Sequence, residues 1–307
     1  MSWRNLAGER EVVREAMTSM GGSGMRQWIR GVKRILAGSM NLLNQREAGC
    51  LLCGKSIVNA AGRRFHSGRI RDIETLCRDC SASVPWITAV KCAVCGRAEA
   101  CGDCARRAST LFACNRSAVR YDPFMKRMLA LYKYRGHERL EPALVDMLSA
   151  AYEALTDEVL AKSERPRSVR KHPWDGVTYV PVSEERAAER GFNQAERLAA
   201  GLARRYGLPL APLLVRTKHG AKQSFKTRAQ RIRDMRHVFD ADEEGMAKLR
   251  LMINMDGGAE GRGGRALQLL LVDDIYTTGS TAQACARILT GRLGAGTVVY
   301  VLTWARS

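Results

Sequence analysis

The stretch 269–281, LLLVDDIYTTGST, constrains the fold of this chain more than any other. Its apolar beginning, together with Leu267, carries no charge and therefore predicts a buried strand of a parallel sheet. We expect Asp273 and Asp274 to end that strand, and a turn of hydroxyl residues and glycine to lead into a helix over about 282–293. This order of elements indicates an α/β domain with a phosphate site beside a diol or metal site.

Each part of this stretch has a chemical reason to hold a phosphorylated sugar. A helix N-terminus offers free N–H groups, glycine lets the backbone come close, and the hydroxyls add donors. The expected phosphate-binding residues are Thr277, Thr278, Gly279, Ser280 and Thr281. Asp273 and Asp274 can accept from ribose hydroxyls or hold waters around Mg2+. The alternative is an ordinary strand-to-helix turn, which favours the same turn residues but explains two adjacent, repelling carboxylates poorly.

Four Cys-x-x-Cys pairs lie between residues 50 and 104. Each pair can turn two thiolates toward one cation, and two pairs complete a tetrahedral site that favours zinc. Pairing in sequence order is our prediction, although the short loop between Cys95 and Cys101 keeps a crossed pairing open. Because four thiolates leave no ligand position free, one or two structural zinc ions are expected. The predicted ligands are Cys50, Cys53, Cys77, Cys80, Cys92, Cys95, Cys101 and Cys104.

The remaining candidate ligands have simpler interpretations. His66 is interpreted as a surface histidine, and Cys114 and Cys285 as small buried hydrophobic residues. The N-terminus has no signal-peptide pattern and no apolar run is long enough to span a membrane, so we expect a cytoplasmic protein whose cysteines bind metal and form no disulfides.

The chain is strongly basic. Its 307 residues include 50 Lys and Arg against 31 Asp and Glu, which gives a net charge of +19. Such a surface attracts polyanions, including nucleic acid and pyrophosphate-bearing substrates, although solvated basic faces without a partner are an equal alternative. A hydrophobic fraction of 46% predicts a folded protein.

Composition divides the chain into three parts. Residues 1–45 are interpreted as a polar tail and a basic amphipathic helix, and residues 46–112 as a small double zinc-ribbon domain. Residues 113–307 are interpreted as an α/β domain in which the region 240–266, acidic at its start and glycine-rich at its end, is an insertion or surface excursion. Predicted strands lie at 118–121, 177–182, 209–215 and 294–302, and predicted helices begin at Pro123 and Glu138.

Two further regions of this domain carry candidate ligand contacts. Ser183 follows the strand 177–182, where parallel sheets bind ligands, although it can equally be a helix N-cap. Residues 216–236 hold eight Lys and Arg against one acid. We interpret this region as a flap that closes over pyrophosphate, with Arg216 and Lys218 at its root, rather than as a solvated basic surface.

The stretch 272–281 resembles the phosphoribosyl-pyrophosphate (PRPP) signature of type I phosphoribosyltransferases. The order of motifs over about residues 48–304 further resembles the ComF family, in which a double zinc ribbon precedes a phosphoribosyltransferase-like domain. The motifs that carry the likeness lie at 50–54, 133–136, 180–182, 190–194, 216–218 with Gln223, and 272–281. Ser280, where such signatures often have alanine, and the long region 240–266 depart from the pattern.

The resemblance implies an α/β fold with a parallel, type I phosphoribosyltransferase-like sheet and a role in natural competence. It implies a Mg2+–PRPP site in which residues 277–281 surround the 5′-phosphate, Asp273 and Asp274 hold the ribose or metal, and Lys218 with Arg216 holds the pyrophosphate. It also implies single-stranded DNA in the cytoplasm and a ComFA-like helicase as partners. The alternatives are a single-stranded DNA-binding factor whose PRPP site is a sensor or relic, and a zinc-bearing adaptor without a ligand.

Overall fold

The computed structural model describes residues 49–57, 73, 75–106, 109–134, 137–162, 172–217, 238–255, 266–294 and 296–307. Residues 49–307 form one compact unit. The expected tail and amphipathic helix (1–45), His66 and Lys218 lie outside the described residues, as does nearly all of the basic flap. The domain boundaries therefore stay predictions.

Helices and strands alternate along most of this unit. The strands are β1 (Asn115–Arg120), β2 (Gly176–Tyr179), β3 (Leu214–Arg216), β4 (Phe239–Ala241), β5 (Leu267–Tyr276) and β6 (Thr297–Arg306). The helices are α1 (Arg78–Ala82), α2 (Gly102–Ala105), α3 (Pro123–Tyr134), α4 (Glu141–Ala161, after a 3-10 turn at Glu138–Leu140), α5 (Glu184–Arg190), α6 (Gln194–Tyr206), α7 (Glu243–Met255) and α8 (Ser280–Leu293). Among the described residues, no helix is both long enough and apolar enough to cross a membrane.

A parallel sheet with the order β1-β6-β5-β2 confirms the predicted α/β fold class. The apolar strand β5 lies inside it, between β6 and β2, and its residues from Leu269 to Val272 are fully buried. Because successive side chains of a strand point to opposite faces, Leu270 and Val272 pack into one core, while Leu269 and Leu271 pack into another. Helices α4 and α6 contact the sheet on the first side and α8 on the second.

The prediction that the acidic pair ends the central strand is wrong. Strand β5 continues through Asp273 and Asp274 to Tyr276, because β6 runs beside it over the same length and pairs Asp273 with Thr303 and Tyr276 with Arg306. The predicted helix from about residue 282 begins two residues earlier, at Ser280. The turn between strand and helix is therefore only three residues long, 277–279.

Part of the expected surface excursion is ordered and buried. Residues 239–241 form β4, which pairs antiparallel with β3, and α7 follows with Met246 and Leu249 fully buried. Gly245 lies so close to the strand-like segment before β3 that a Cβ there would overlap the carbonyl of Pro212. Residues 240–255 thus build the core beneath β3, while residues 256–265 lie outside the described part.

Candidate functional site

The carboxyl ends of two neighbouring strands bring the predicted site residues to one edge of the sheet. Strand β2 pairs with β5 up to Tyr179 and Val272, and the N–H of Val180 donates to the carbonyl of Val272 at 3.0 Å. The chain after β2, which leads to Ser183, therefore begins beside the acidic pair that follows Val272. This is the edge at which open parallel sheets bind ligands.

The two carboxylates of the pair have different surroundings. Asp273 accepts a hydrogen bond from the N–H of Asp274 at 2.8 Å, and Asp274 forms an ion pair with Lys133 at the end of α3. Burial raises the pKa of Asp273 well above its usual value, and the negative charge of Asp274 raises it further. Asp273 is therefore a carboxylate that a nearby cation would stabilise.

Asp273→Asn is expected to stabilise the folded protein. The raised pKa means that Asp273 binds a proton more tightly in the folded protein than in the unfolded chain. The free energy of unfolding therefore decreases as the pH rises from the pKa of Asp273 in the unfolded chain to its higher pKa in the folded protein. The neutral amide removes this cost and keeps an oxygen for the N–H of Asp274. We expect a gain of about 0.5–2 kcal/mol at pH 7, or roughly 2–4 °C in Tm per kcal/mol, by calorimetry.

Asp274→Asn is the matched comparison for this measurement. It removes the charged partner of Lys133, whose side chain is only 13% exposed, so Tm should fall. Equal decreases in Tm for both variants would contradict the assignment of a partly buried, electrostatically disfavoured charge to Asp273.

The turn 277–279 and the first residue of α8 form what we call the anion loop (residues 277–280). Thr277 and Thr278 are exposed, while Gly279 caps the helix with φ of 78°, a conformation that favours glycine. Glycine has no side chain to accept from the N–H groups of the first helical turn, and the N–H of Ser280 donates a long hydrogen bond of 3.4 Å to Thr278 Oγ1. An anion beside the exposed threonines could meet the N–H groups that follow Ser280 in the first turn of α8, and it could replace the long bond to Thr278.

Arg216 approaches this site from β3. Its guanidinium lies over the ring of Phe239 at 5.6 Å, and burial, followed by the charge of Arg186, lowers its pKa. Cys285 is fully buried on α8, as expected. Burial and the charge of Asp273 raise the pKa of its thiol, whereas the charge of Arg216 lowers it. Arg216 and Asp273 are therefore both within electrostatic reach of the same thiol.

Ser183 serves a structural role. It is the N-cap of α5 and accepts a hydrogen bond from the N–H of Arg186 at 3.4 Å. The motif 190–194 that follows is also explained by local structure, since Asn193 caps α6 through the N–H of Ala195 and donates to the carbonyl of Val180 at 3.1 Å. A ligand contact by Ser183 stays a prediction: its role as an N-cap is compatible with such a contact.

Lys133 is a site residue to which analysis of the sequence gave no role beyond its place in the motif 133–136. It is the last basic residue of α3, whose apolar residues Met128 and Tyr132 are fully buried. The local signal for this role is a lysine at the end of a buried helix face, because its charge requires a carboxylate or solvent nearby. Its partner Asp274 is distant in the sequence, so only the fold identifies the pair.

The eight predicted cysteine ligands form two groups of four, in sequence order. Within each group the sulfur atoms all lie within 4.8 Å of one another, which confirms the predicted pairing over the crossed one. Four thiolates converging on one point are the donor set of a structural zinc site, so both groups fit this metal. The groups are the first cluster (Cys50, Cys53, Cys77, Cys80) and the second cluster (Cys92, Cys95, Cys101, Cys104).

Backbone N–H groups favour thiolate in both clusters. Burial alone raises the pKa of Cys50, but the N–H groups of Cys77, Cys53 and Leu52 outweigh it and bring the pKa to about 6. The pKa of Cys92 is also lowered: the N–H of Cys95 is the largest contribution that opposes burial. One cysteine of each cluster is therefore set up as a thiolate, whereas burial and the neighbouring thiols raise the pKa values of Cys80 and Cys104, so a metal ion has to displace those protons.

The fold and these sites define an α/β protein that carries a module of two four-cysteine clusters. The chain is 30% identical over 249 residues to "Competence protein ComFC" of Bacillus subtilis (strain 168), which covers 78% of this chain and 88% of that protein. It is 26% identical over 246 residues to "Competence protein ComFC" of Streptococcus pneumoniae (strain ATCC BAA-255 / R6), with 78% and 92% covered. No family model matches the chain. The chain belongs to the ComFC family.

Proposed function

We propose that this protein binds Mg2+–PRPP. We further propose that it acts in competence, as the names of its relatives suggest. The observation that carries the PRPP proposal is the placement of an acidic pair near the end of β5, one short turn before a helix N-terminus with a left-handed glycine cap. A ribose needs acceptors for its hydroxyls and a 5′-phosphate needs N–H donors, and here both lie within one short segment.

The residues divide the ligand between them. Thr277, Thr278 and the N–H groups of the anion loop and of Thr281 would hold the 5′-phosphate, and Asp273 and Asp274 the ribose hydroxyls or waters around Mg2+. Lys133 holds Asp274 in place. Arg216, half-buried near Cys285, would contact the pyrophosphate together with the predicted Lys218. Mg2+ would neutralise the pyrophosphate charge, and two adjacent carboxylates, one with a raised pKa, suit a hard divalent cation.

Transfer of the phosphoribosyl group is the reaction that this arrangement would support. Pyrophosphate leaves C1 of the ribose as an acceptor attacks, and fixed positioning can supply about 7–11 kcal/mol of the barrier. Within the described residues we assign no general base for an acceptor. PRPP sensing without transfer is therefore the alternative use of the same site, and pyrophosphate release with nucleobase or amine acceptors separates the two.

Single-stranded DNA is the proposed macromolecular ligand, with the cytoplasm as the place of action and a ComFA-like helicase as a possible partner in uptake. The net charge of +19 supports a polyanion. Steep weakening of oligonucleotide binding with salt, unchanged by Asp273→Asn, would show that DNA binding is separate from the PRPP site. Tight binding that the Asp273→Asn substitution abolishes would contradict this separation.

Calorimetric titration of PRPP with and without Mg2+ tests the proposed ligand. We expect saturable binding of one PRPP per chain that requires Mg2+, because the ligand carries more negative charge than Arg216 and the anion loop can balance. Ribose 5-phosphate is the control, since it contains the 5′-phosphate and lacks the pyrophosphate, and it should bind more weakly and with little Mg2+ dependence. Absence of PRPP binding would favour the adaptor without a ligand.

A further inference from the structure

We propose that the second cluster positions the anion loop, so that metal binding by this cluster determines the order of the loop. The two ends of the loop adjoin Tyr276, the last residue of β5, and the first turn of α8. Each end contacts the second cluster or the chain that leaves it. Arg306 and Phe112 contact the first end, and Leu111 contacts the second.

Arg306 joins the cluster to the residue before the loop. It is 4% exposed, and its Nη1 donates to the carbonyl of Tyr276 at 3.2 Å while its Nη2 donates to Cys95 Sγ at 3.4 Å. The guanidinium also lies over the Tyr276 ring at 4.9 Å. A single buried guanidinium thus spans a predicted metal ligand and the loop end.

The charge of Arg306 explains why this contact depends on the metal. A buried guanidinium is costly unless a negative partner lies nearby. One divalent ion with four thiolates carries a net charge of about −2, and hydrogen bonds to ligand sulfur are the usual way in which a protein supports such a site. The loaded cluster therefore holds Arg306 in place, and Arg306 holds the carbonyl of Tyr276.

The second contact lies on the other side of the loop. The N–H of Leu111 donates to Gln283 Oε1, in the first turn of α8, at 3.0 Å. The next residue, Phe112, contacts the first end instead: its buried ring packs edge-to-face against Tyr276 at 6.2 Å between centroids. Residues 111–112 follow the last cysteine of the cluster closely, so the chain that closes the metal site also holds the start of α8.

The first cluster provides an internal contrast. Cys50, Cys77 and Cys80 pack into the core that contains Leu270 and Val272, whereas Cys95 packs with Phe112 and Tyr276 in the other core. Metal loss from the first cluster should therefore leave the loop unchanged. By reciprocity, an anion that orders the loop should also strengthen metal retention by the second cluster alone.

Hydrogen–deuterium exchange of the zinc-loaded full-length protein, without any ligand, tests the proposal. We expect exchange in peptides covering residues 274–284 to rise about tenfold in Arg306→Met, since the lost bonds involve a charged donor. Gln283→Ala, a milder change on the opposite side, should raise exchange in the same peptides. Arg204→Met is the matched control, because this exposed arginine of α6 contacts Glu141 at 3.5 Å and should change nothing there.

The role of the metal is tested by one ligand substitution in each cluster, with zinc content measured for both. Cys104→Ser should lose the second ion and raise exchange at 274–284 as Arg306→Met does, whereas Cys53→Ser should lose the first ion and leave these peptides unchanged. Equal exchange in the two cysteine variants would overturn the proposal. Because no PRPP is present, this outcome is independent of the proposed ligand. The second cluster can order the anion loop in a protein that does not bind PRPP, and PRPP can bind to a protein in which the cluster does not affect the loop.

Discussion

Removal of zinc by a strong chelator is expected to lower Tm by at least about 10 °C, because structural zinc sites contribute on the order of 10 kcal/mol at neutral pH. Both clusters are part of the compact unit rather than an appendage. Cys50, Cys77 and Cys80 are buried beside Val119 and Leu302 in one core, and Cys95 is fully buried in the other. Loss of the metals therefore exposes surface that the sheet itself requires.

Calorimetry combined with measurement of bound zinc checks this expectation. The untreated protein should hold two zinc ions per chain, one for each group of four cysteines. Cys114→Ala is the control for loss of a buried thiol, because Cys114 belongs to neither group, and this variant should keep both ions. An unchanged Tm after complete loss of zinc would show that the clusters do not support the fold.

The connection of the second cluster to the sheet is mainly polar. Asn115 at the start of β1 donates to the carbonyl of Cys95 at 3.0 Å, and Arg116 donates to the carbonyl of Ala93 at 2.9 Å while it pairs with Glu158 of α4. Gly96, at φ of 71°, lies so close to Asn115 that a side chain would clash with its carbonyl oxygen. The knuckle is thus fixed to β1 by contacts that tolerate little movement.

Spacing within the sequence determined what could be predicted of these sites. Cys-x-x-Cys pairs are local, and the four sulfur atoms of each group come from two such pairs, so the grouping was predictable. The apolar run 269–272 likewise predicted a buried parallel strand because it has no polar face. In both cases the residues that produce the structure are adjacent or nearly so.

The features that the sequence did not predict depend on contacts between distant residues. The extension of β5 past Asp273 requires the pairing of Tyr276 with Arg306, which no local pattern indicates. Helix α7 was missed because its acidic start resembles a surface loop, although Met246 and Leu249 are three residues apart and face the core together. Lys133 and Arg306 acquire their roles only when the fold places them beside Asp274 and Cys95.

The same distinction between local and distant contacts applies to the anion loop. Its residue types alone are compatible with an ordinary turn, since threonine, serine and glycine are common there. What favours a ligand is the adjacent pair of carboxylates with unequal environments: Asp274 is neutralised by Lys133, and Asp273 has a raised pKa. A neutral residue at position 273 would stabilise this part of the fold more than a carboxylate does, which is why the acidic pair, rather than the turn, supports the proposed ligand site.

Replacement of both carboxylates should abolish PRPP binding. In Asp273→Asn/Asp274→Asn we expect affinity for Mg2+–PRPP to fall at least about 100-fold, because two contacts to a charged group are lost at roughly 1.5–3 kcal/mol each. Titration calorimetry measures this change. Asp79→Asn, an exposed acid paired with Lys55 at 3.3 Å, is the control and should bind as the wild type does.

The single substitution Asp273→Asn separates loss of binding from loss of structure. It is expected to raise Tm, so weaker PRPP binding by a more stable protein cannot result from unfolding, whereas Asp274→Asn also frees Lys133. If Asp273→Asn binds Mg2+–PRPP with unchanged affinity, the acidic pair does not hold the ribose or the metal. The N-terminus of α8 would then be left with phosphate recognition alone, which ribose 5-phosphate would satisfy as well as PRPP.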